Sequence, residues 1–201
     1  MAQQDIRGQG LEADLERELA REIGKEPDAD LHTDVDDEDV QRQYEAEAPL
    51  EEAVRPWRIA ESLLQLRKQV NALAPNRSKA SDGAIGDPAH QSRASDHNPW
   101  VTDGAKGVVT AMDITHDPAH GCDSEKLAET LRAAKDARIK YIISNKKIAA
   151  SEPKAGKPAW AWRPYTGRNP HDHHVHISVQ PEKAKYDSTA KWAIEGAFGG
   201  G

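Results

Sequence analysis

Residues 171–179 read HDHHVHISV and place four of the chain's nine histidines within six positions. Val175, Ile177 and Val179 alternate with His174, His176 and Ser178, so an extended backbone sends the aliphatic side chains to one face and both imidazoles to the other. A β-strand is expected here, with its aliphatic face on a core. The same alternation puts Asp172 on the imidazole face and turns His173 away. Two neutral imidazoles at i and i+2 on a stiff element, with a carboxylate two residues earlier, suit a metal site: nitrogen donors held in place, an acceptor or base close by. A solvated histidine-rich edge or an appended tag explains the stretch less well, because Val175 interrupts the histidines and the run continues as a strand.

One metal ion needs further ligands, and two upstream segments offer them. In VVTAMDITHD, residues 108–117, Val109, Ala111 and Asp113 share one strand face, which places a carboxylate above small or aliphatic neighbours. A buried carboxylate without a partner is costly to ionise, and a bound cation compensates it. SRASDHNPW, residues 92–100, contributes His97 from a loop.

Ser95-Asp96-His97, Ala111-Met112-Asp113 and His174-Val175-His176 resemble the S-x-H, A-x-D and H-x-H elements of a group of zinc peptidases. That group includes the D-alanyl-D-alanine carboxypeptidases and dipeptidases, murein endopeptidases and phage endolysins, and it shares its metal core with lysostaphin and the hedgehog signalling domain. The resemblance covers roughly residues 57–195. It implies a tetrahedral zinc held by His97, Asp113 and His176 with a water as fourth ligand. His171, His174 and His176 also match the H-x-x-H-x-H spacing of the murein endopeptidase branch, which adds His171 to the catalytic candidates.

Two features depart from the group. Its usual pattern is H-x-x-G-x-A-x-D, whereas PWVTDGAKGVV lies between His97 and Asp113 here. Asp103-Gly104 signals a turn and Gly107 a second break, so the extra residues are expected to form a hairpin-like insertion that returns the chain to the same strand. Should the insertion displace Asp113, His116 and Asp117 are the rival ligands. The second departure is His173, where relatives place an acidic base three residues before the last His ligand. His174 is then the first choice for general base, with Asp172 as its orienting partner or the alternate base. Arg93 is a candidate to hold a substrate carboxylate or a developing oxyanion, with a salt bridge to Asp82, Asp87 or Asp96 as the competing explanation.

Charge divides the chain. Residues 1–53 hold 5 Lys and Arg against 18 Asp and Glu, a net of −13, which leaves the remainder at +6 of the overall −7. Residues 1–53 are therefore expected to be an acidic N-terminal segment: a short amphipathic helix on Leu11, Leu15, Leu19 and Ile23, then a linker, with an unknown protein partner as one possible contact. Residues 54–201 form the peptidase-like domain, mildly cationic and suited to an anionic polymer such as bacterial peptidoglycan. The lone Cys122 excludes an intramolecular disulfide and a thiolate-held zinc. Neither a signal peptide nor a membrane span is visible, so a wall-degrading enzyme of this kind would be made in the cytoplasm and reach the wall after release or export, by phage lysis, a virion or a secretion system.

The remaining pattern predicts a helix from Trp57 to Leu73 on Ile59, Leu63, Leu66, Val70 and Leu73, closed by Pro75. A long ordered loop over 76–106 follows, then a strand over Val108–Thr115, a helix from Ser124 with Leu127 and Leu131 inward, and a strand over Ile139–Ser144. Trp162 and Tyr165 are placed at the cleft or in the core, and a last helix spans Glu182–Ile194. The order argues for an α+β fold with a small, mainly antiparallel sheet and flanking helices, hedgehog- and D-Ala-D-Ala-peptidase-like by the resemblance. The expected activity is zinc-dependent hydrolysis of peptidoglycan stem or cross-link peptides containing D-amino acids, as a carboxypeptidase or endopeptidase. Two other readings compete. One is a zinc-stabilised binding module without catalysis. The other is a His/Asn metal-dependent nuclease, suggested by Asp96-His97-Asn98 but lacking a basic stripe for phosphates, so no nucleic-acid partner is expected.

Overall fold

The structure, a computed structural model, describes residues 56–84, 95–167 and 169–198. The acidic segment 1–53 and Arg93 lie outside these.

The fold is α+β with two sheets and few helices. Five strands make the larger sheet: β4 (Ala111–Thr115), β5 (Ile139–Ser144), β6 (Lys147–Ala150), β7 (Arg163–Pro164) and β8 (His174–Val179). Their order is β4-β8-β5-β6-β7 and every pair is antiparallel. The smaller sheet has the order β1-β3-β2, from β1 (Trp57–Ile59), β2 (Val101–Asp103) and β3 (Lys106–Val109), with β1 parallel to β3.

The alternation read in 174–179 holds in β8. Opposed residues of an antiparallel pair share a face, and Asp113 lies opposite His176 while Ser178 lies opposite both Ala111 and Tyr141. One face therefore carries Met112, Ile114, Ile142, Val175, Ile177 and Val179, all buried in the main core. Leu63, Leu66 and Val70 of α1 (Glu61–Leu73) and Leu127 and Leu131 of α2 (Ser124–Ala134) belong to that core. Asp123 caps α2, its carboxylate accepting from the backbone N–H groups of Glu125 and Lys126. The opposite face carries Asp113, His174, His176 and Ser178 beside a second small cluster of Tyr141, Ile143, Ile148 and Tyr165.

The expected hairpin is present, turning between Asp103 and Lys106 with Gly104 at φ 61°, where a left-handed backbone favours glycine. It does not rejoin one long strand. The stretch expected as a single strand over Val108–Thr115 divides at Thr110 into β3 and β4, which lie in different sheets. Gly107, expected as a break, lies inside β3: a Cβ there would come within 2.6 Å of Pro99 Cβ, so close approach of the 95–100 loop is what requires glycine.

Two helix expectations are corrected. Trp57–Ile59 is a strand, recruited by parallel pairing with Gly107–Val109, and the helix begins at Glu61. Instead of a helix over Glu182–Ile194 there is a single short one, α3 (Lys183–Tyr186), followed by irregular chain and a 3-10 turn at Glu195–Ala197. Trp192 holds that chain away from helical geometry: its indole N–H donates to Ser62 O (2.8 Å), its backbone N–H and carbonyl bond the Gln69 amide, and Arg138 stacks on its ring at 3.6 Å.

Candidate metal centre

His97, Asp113 and His176 come together, each buried, with ligand atoms within 4.8 Å of one another. The 95–98 turn carries His97. Its backbone is tied by Asn98 N–H to Ser95 O and by Thr110 N–H to Asp96 O, which docks it at the β3–β4 junction. Asp113 and His176 face each other across the β4–β8 ladder.

Three donors converge at short range. His97 Nε2 is 3.0 Å from His176 Nδ1, and Asp113 Oδ1 is 3.4 Å from the first and 3.0 Å from the second. Tetrahedral ligands with bonds of about 2.0–2.1 Å are separated by about 3.3–3.4 Å, close to this triangle.

Hydrogen bonds on the far side of each ring assign the protons. His97 Nδ1 lies 3.0 Å from Ala84 O, which can only accept, so Nδ1 carries the hydrogen and Nε2 presents a lone pair. His176 Nε2 lies 3.0 Å from Ser178 Oγ, a hydroxyl that can accept from it. In the tautomer whose Nε2–H donates to that hydroxyl, Nδ1 presents its lone pair toward His97 and Asp113. Two imidazole lone pairs and a carboxylate oxygen aimed at one another repel unless a cation or a proton lies between them. This donor set fits a metal ion.

Electrostatics follow the same logic. Burial opposes ionisation of Asp113, but the His97 and His174 imidazoles and the hydrogen bonds of His176 and His97 hold its carboxyl well below the usual carboxylate range. Burial likewise opposes charging His97, yet the Asp113 carboxylate beside it raises it above the usual imidazole value. Burial pushes His176 down against the pull of Asp113, and pushes His171 well down together with the neighbouring imidazoles of His176 and His174.

Around the donors stand the other histidines of the run. His174 is buried, with Nε2 3.7 Å from Asp113 Oδ2 and no hydrogen-bond partner among the described residues. His171 packs edge-on against His174 and Tyr165, at ring-centre distances of 4.9 and 5.2 Å, and its Nδ1–H donates to Asn169 O. Its φ of 49° is left-handed, a strained conformation for a non-glycine residue, held by His171 N–H to Asn169 Oδ1 and by Asn145 N–H to His171 O. Tyr165 thus borders the centre, whereas Trp162 packs partly buried against the main core, its indole N–H donating to Glu129 and its ring flanked by Arg132 and Lys147.

Asp172 is not brought to the centre. It is exposed and lies 3.5 Å from the exposed His173, because β8 begins only at His174 and the alternation does not extend back to 172. The rivals are also elsewhere: His116 bonds Ser124, and Asp117 bonds His120 and Ser78 N–H. Of the acids weighed as partners for Arg93, Asp82 is bound by Arg77 and Asp96 by Lys140. Cys122 is buried, its thiol pushed up to about 11 by burial, and takes no part.

Sequence reasoning missed Ala84, Tyr141, Ser178 and Lys140. Tyr141 stacks on His176 at 5.4 Å, and the ion pair between Arg77 and Asp82 helps hold the segment that delivers Ala84: Asp82 also accepts from the Thr115 backbone and hydroxyl, and Gly83 pairs with Asp113. For Ser178 a signal existed, since it sits at i+2 from His176 on the same strand face.

No protein-family model, curated protein or solved structure matches the chain.

Proposed function

We propose that the protein is a zinc-dependent peptidase acting on peptidoglycan stem or cross-link peptides containing D-amino acids. The observation that carries this reading is the convergence of the His97 and His176 lone pairs with Asp113 Oδ1. Two nitrogens and one oxygen are the donor types of catalytic zinc, for which three protein ligands leave a position open. The substrate class rests on the motif resemblance and on the +6 charge outside the acidic segment.

Zinc bound there supplies a Lewis acid for a water and a scissile carbonyl. The proton is handled by the chain. His174, whose buried Nε2 has no hydrogen bond, accepts it from the attacking water and returns it to the leaving amine. His171 remains neutral and, packed edge-on, holds the His174 ring in place.

A second reading, a zinc-stabilised binding module, is favoured by one observation: the position three residues before His176 holds the exposed His173 rather than an acid. Purified protein assayed on cell walls and on plasmid DNA, with and without chelator, tests both. Chelator-sensitive release of wall peptides supports the peptidase, zinc binding without turnover supports the module, and DNA cleavage overturns both.

A further inference from the structure

Behind His176 lies a chain of side chains that the three-ligand description leaves unexplained. Ser178 is fully buried, with Oγ 3.0 Å from His176 Nε2, and it stands beside Asp96, whose ionised form its hydroxyl favours. Lys140 Nζ in turn donates to both Asp96 oxygens, at 2.9 and 2.7 Å. An irregularity of β5 accompanies this arrangement. The β5–β8 register pairs Ile139 with Val179 but Tyr141 with Ser178, so Lys140 is an extra residue in a β-bulge. Bulges re-aim side chains. Lys140 Nζ lies 5.3 Å from the centre of the Tyr141 ring, which itself stacks on His176, so the bulge brings both residues to the metal-centre face.

We propose that Asp96 is a positioning residue for the metal centre, acting through the Ser178 hydroxyl on His176 and held in place by Lys140. The proposal rests on the metal reading of the site and deepens it. Stacking on Tyr141 sets the plane of the His176 ring, but a ring flipped within that plane would present carbon in place of Nδ1. The Ser178 oxygen distinguishes the two orientations, because it can accept only from Nε2–H. By taking the hydroxyl hydrogen, Asp96 keeps that oxygen an acceptor and makes the imidazole a stronger donor, while Lys140 offsets the cost of holding a carboxylate in a mostly dry position. Ser95, Asp96 and His97 are consecutive, so one turn serves both histidines: His97 supplies a ligand directly and Asp96 fixes the other ligand from behind.

The test uses the full chain, with zinc affinity from chelator competition and the absorption spectrum of the cobalt-substituted protein as a readout of ligand geometry. Ser178→Ala and Asp96→Asn should each weaken zinc binding by roughly 10–100-fold and shift the cobalt bands, the usual consequence of removing a hydrogen-bond partner of a ligand. Because the two act in series, the double variant should lose no more than the weaker-binding single variant. Should Asp96→Asn fail to fold, Lys140→Met takes its place with the same expectation. Wild-type affinity and spectrum in both single variants, or additive losses in the double variant, overturn the relay. If His176→Ala loses its metal in the same series, the metal reading survives that result. A wild-type chain that binds no zinc overturns both.

Discussion

On one face of the five-stranded sheet Met112, Ile114, Ile142, Val175 and Ile177 close onto the helices. On the other, one residue along each strand, Asp113, His174, His176 and Ser178 sit equally deep beside the smaller cluster of Tyr141, Ile143, Ile148 and Tyr165. The first face is stable by burial alone, at roughly 1.5–3 kcal/mol per large aliphatic side chain. The second buries groups that cost free energy unless each finds a partner. The comparison teaches a division of labour. The aliphatic face fixes the strand register, and register is what sets His176 opposite Asp113, since a slip of one residue would exchange the two faces.

The sharpest way to break that division is to remove a donor. His176→Ala or Asp113→Ala should take zinc from about one per chain to none while the sheet persists, as read by elemental analysis beside circular dichroism. Unchanged metal content in either variant would send the assignment elsewhere.

Acid should do the same reversibly. A metal would be held by neutral imidazoles, and His97, raised by Asp113, takes up its proton first, so affinity falls as pH falls through the ordinary imidazole value of about 6.5 and returns when pH is raised. Zinc retained after dialysis across a pH series measures this.

Within the site face, His174→Ala should keep its zinc and lose about 10²- to 10⁴-fold in turnover of wall peptides. A wild-type rate would exclude His174 as the base. On the aliphatic face, Ile177→Ala should cost about 2–5 kcal/mol in denaturant unfolding yet leave one zinc per folded chain. Loss of metal at full foldedness would mean that the two faces are not separable. Last and smallest, Asp172→Asn should change turnover by less than about twofold, because the carboxylate is exposed and faces His173.

Much of this was legible because alternation is a strong signal. It placed β8 with His174 and His176 on one face, while residue type marked Asp103-Gly104 as a turn and the motif resemblance grouped His97, Asp113 and His176. Where local pattern and long-range pairing disagreed, pattern lost. Trp57–Ile59 reads as the first turn of a helix but pairs with β3, and the chain after Tyr186 reads as helical but is held by Trp192 against α1. Asp172 was misplaced because alternation says nothing about where a strand begins. The left-handed backbone at His171 and the extra residue at Lys140 have no local signature, since both depend on partners distant in the chain. Ser178 and Asp96 come together behind His176 only through the folded sheet.

The hairpin between His97 and Asp113 also bears on the order in which the molecule comes together. It makes those two ligands near neighbours along the chain, able to meet once a two-residue turn has closed. His176 must arrive from 63 residues beyond Asp113, across α2 and three further strands. Closing that larger loop is the slower event, and it is the β4–β8 ladder that closes it. A metal ion held there would engage all three donors only after the sheet has formed, so its effect would be on how long the folded molecule lasts and not on how quickly it appears.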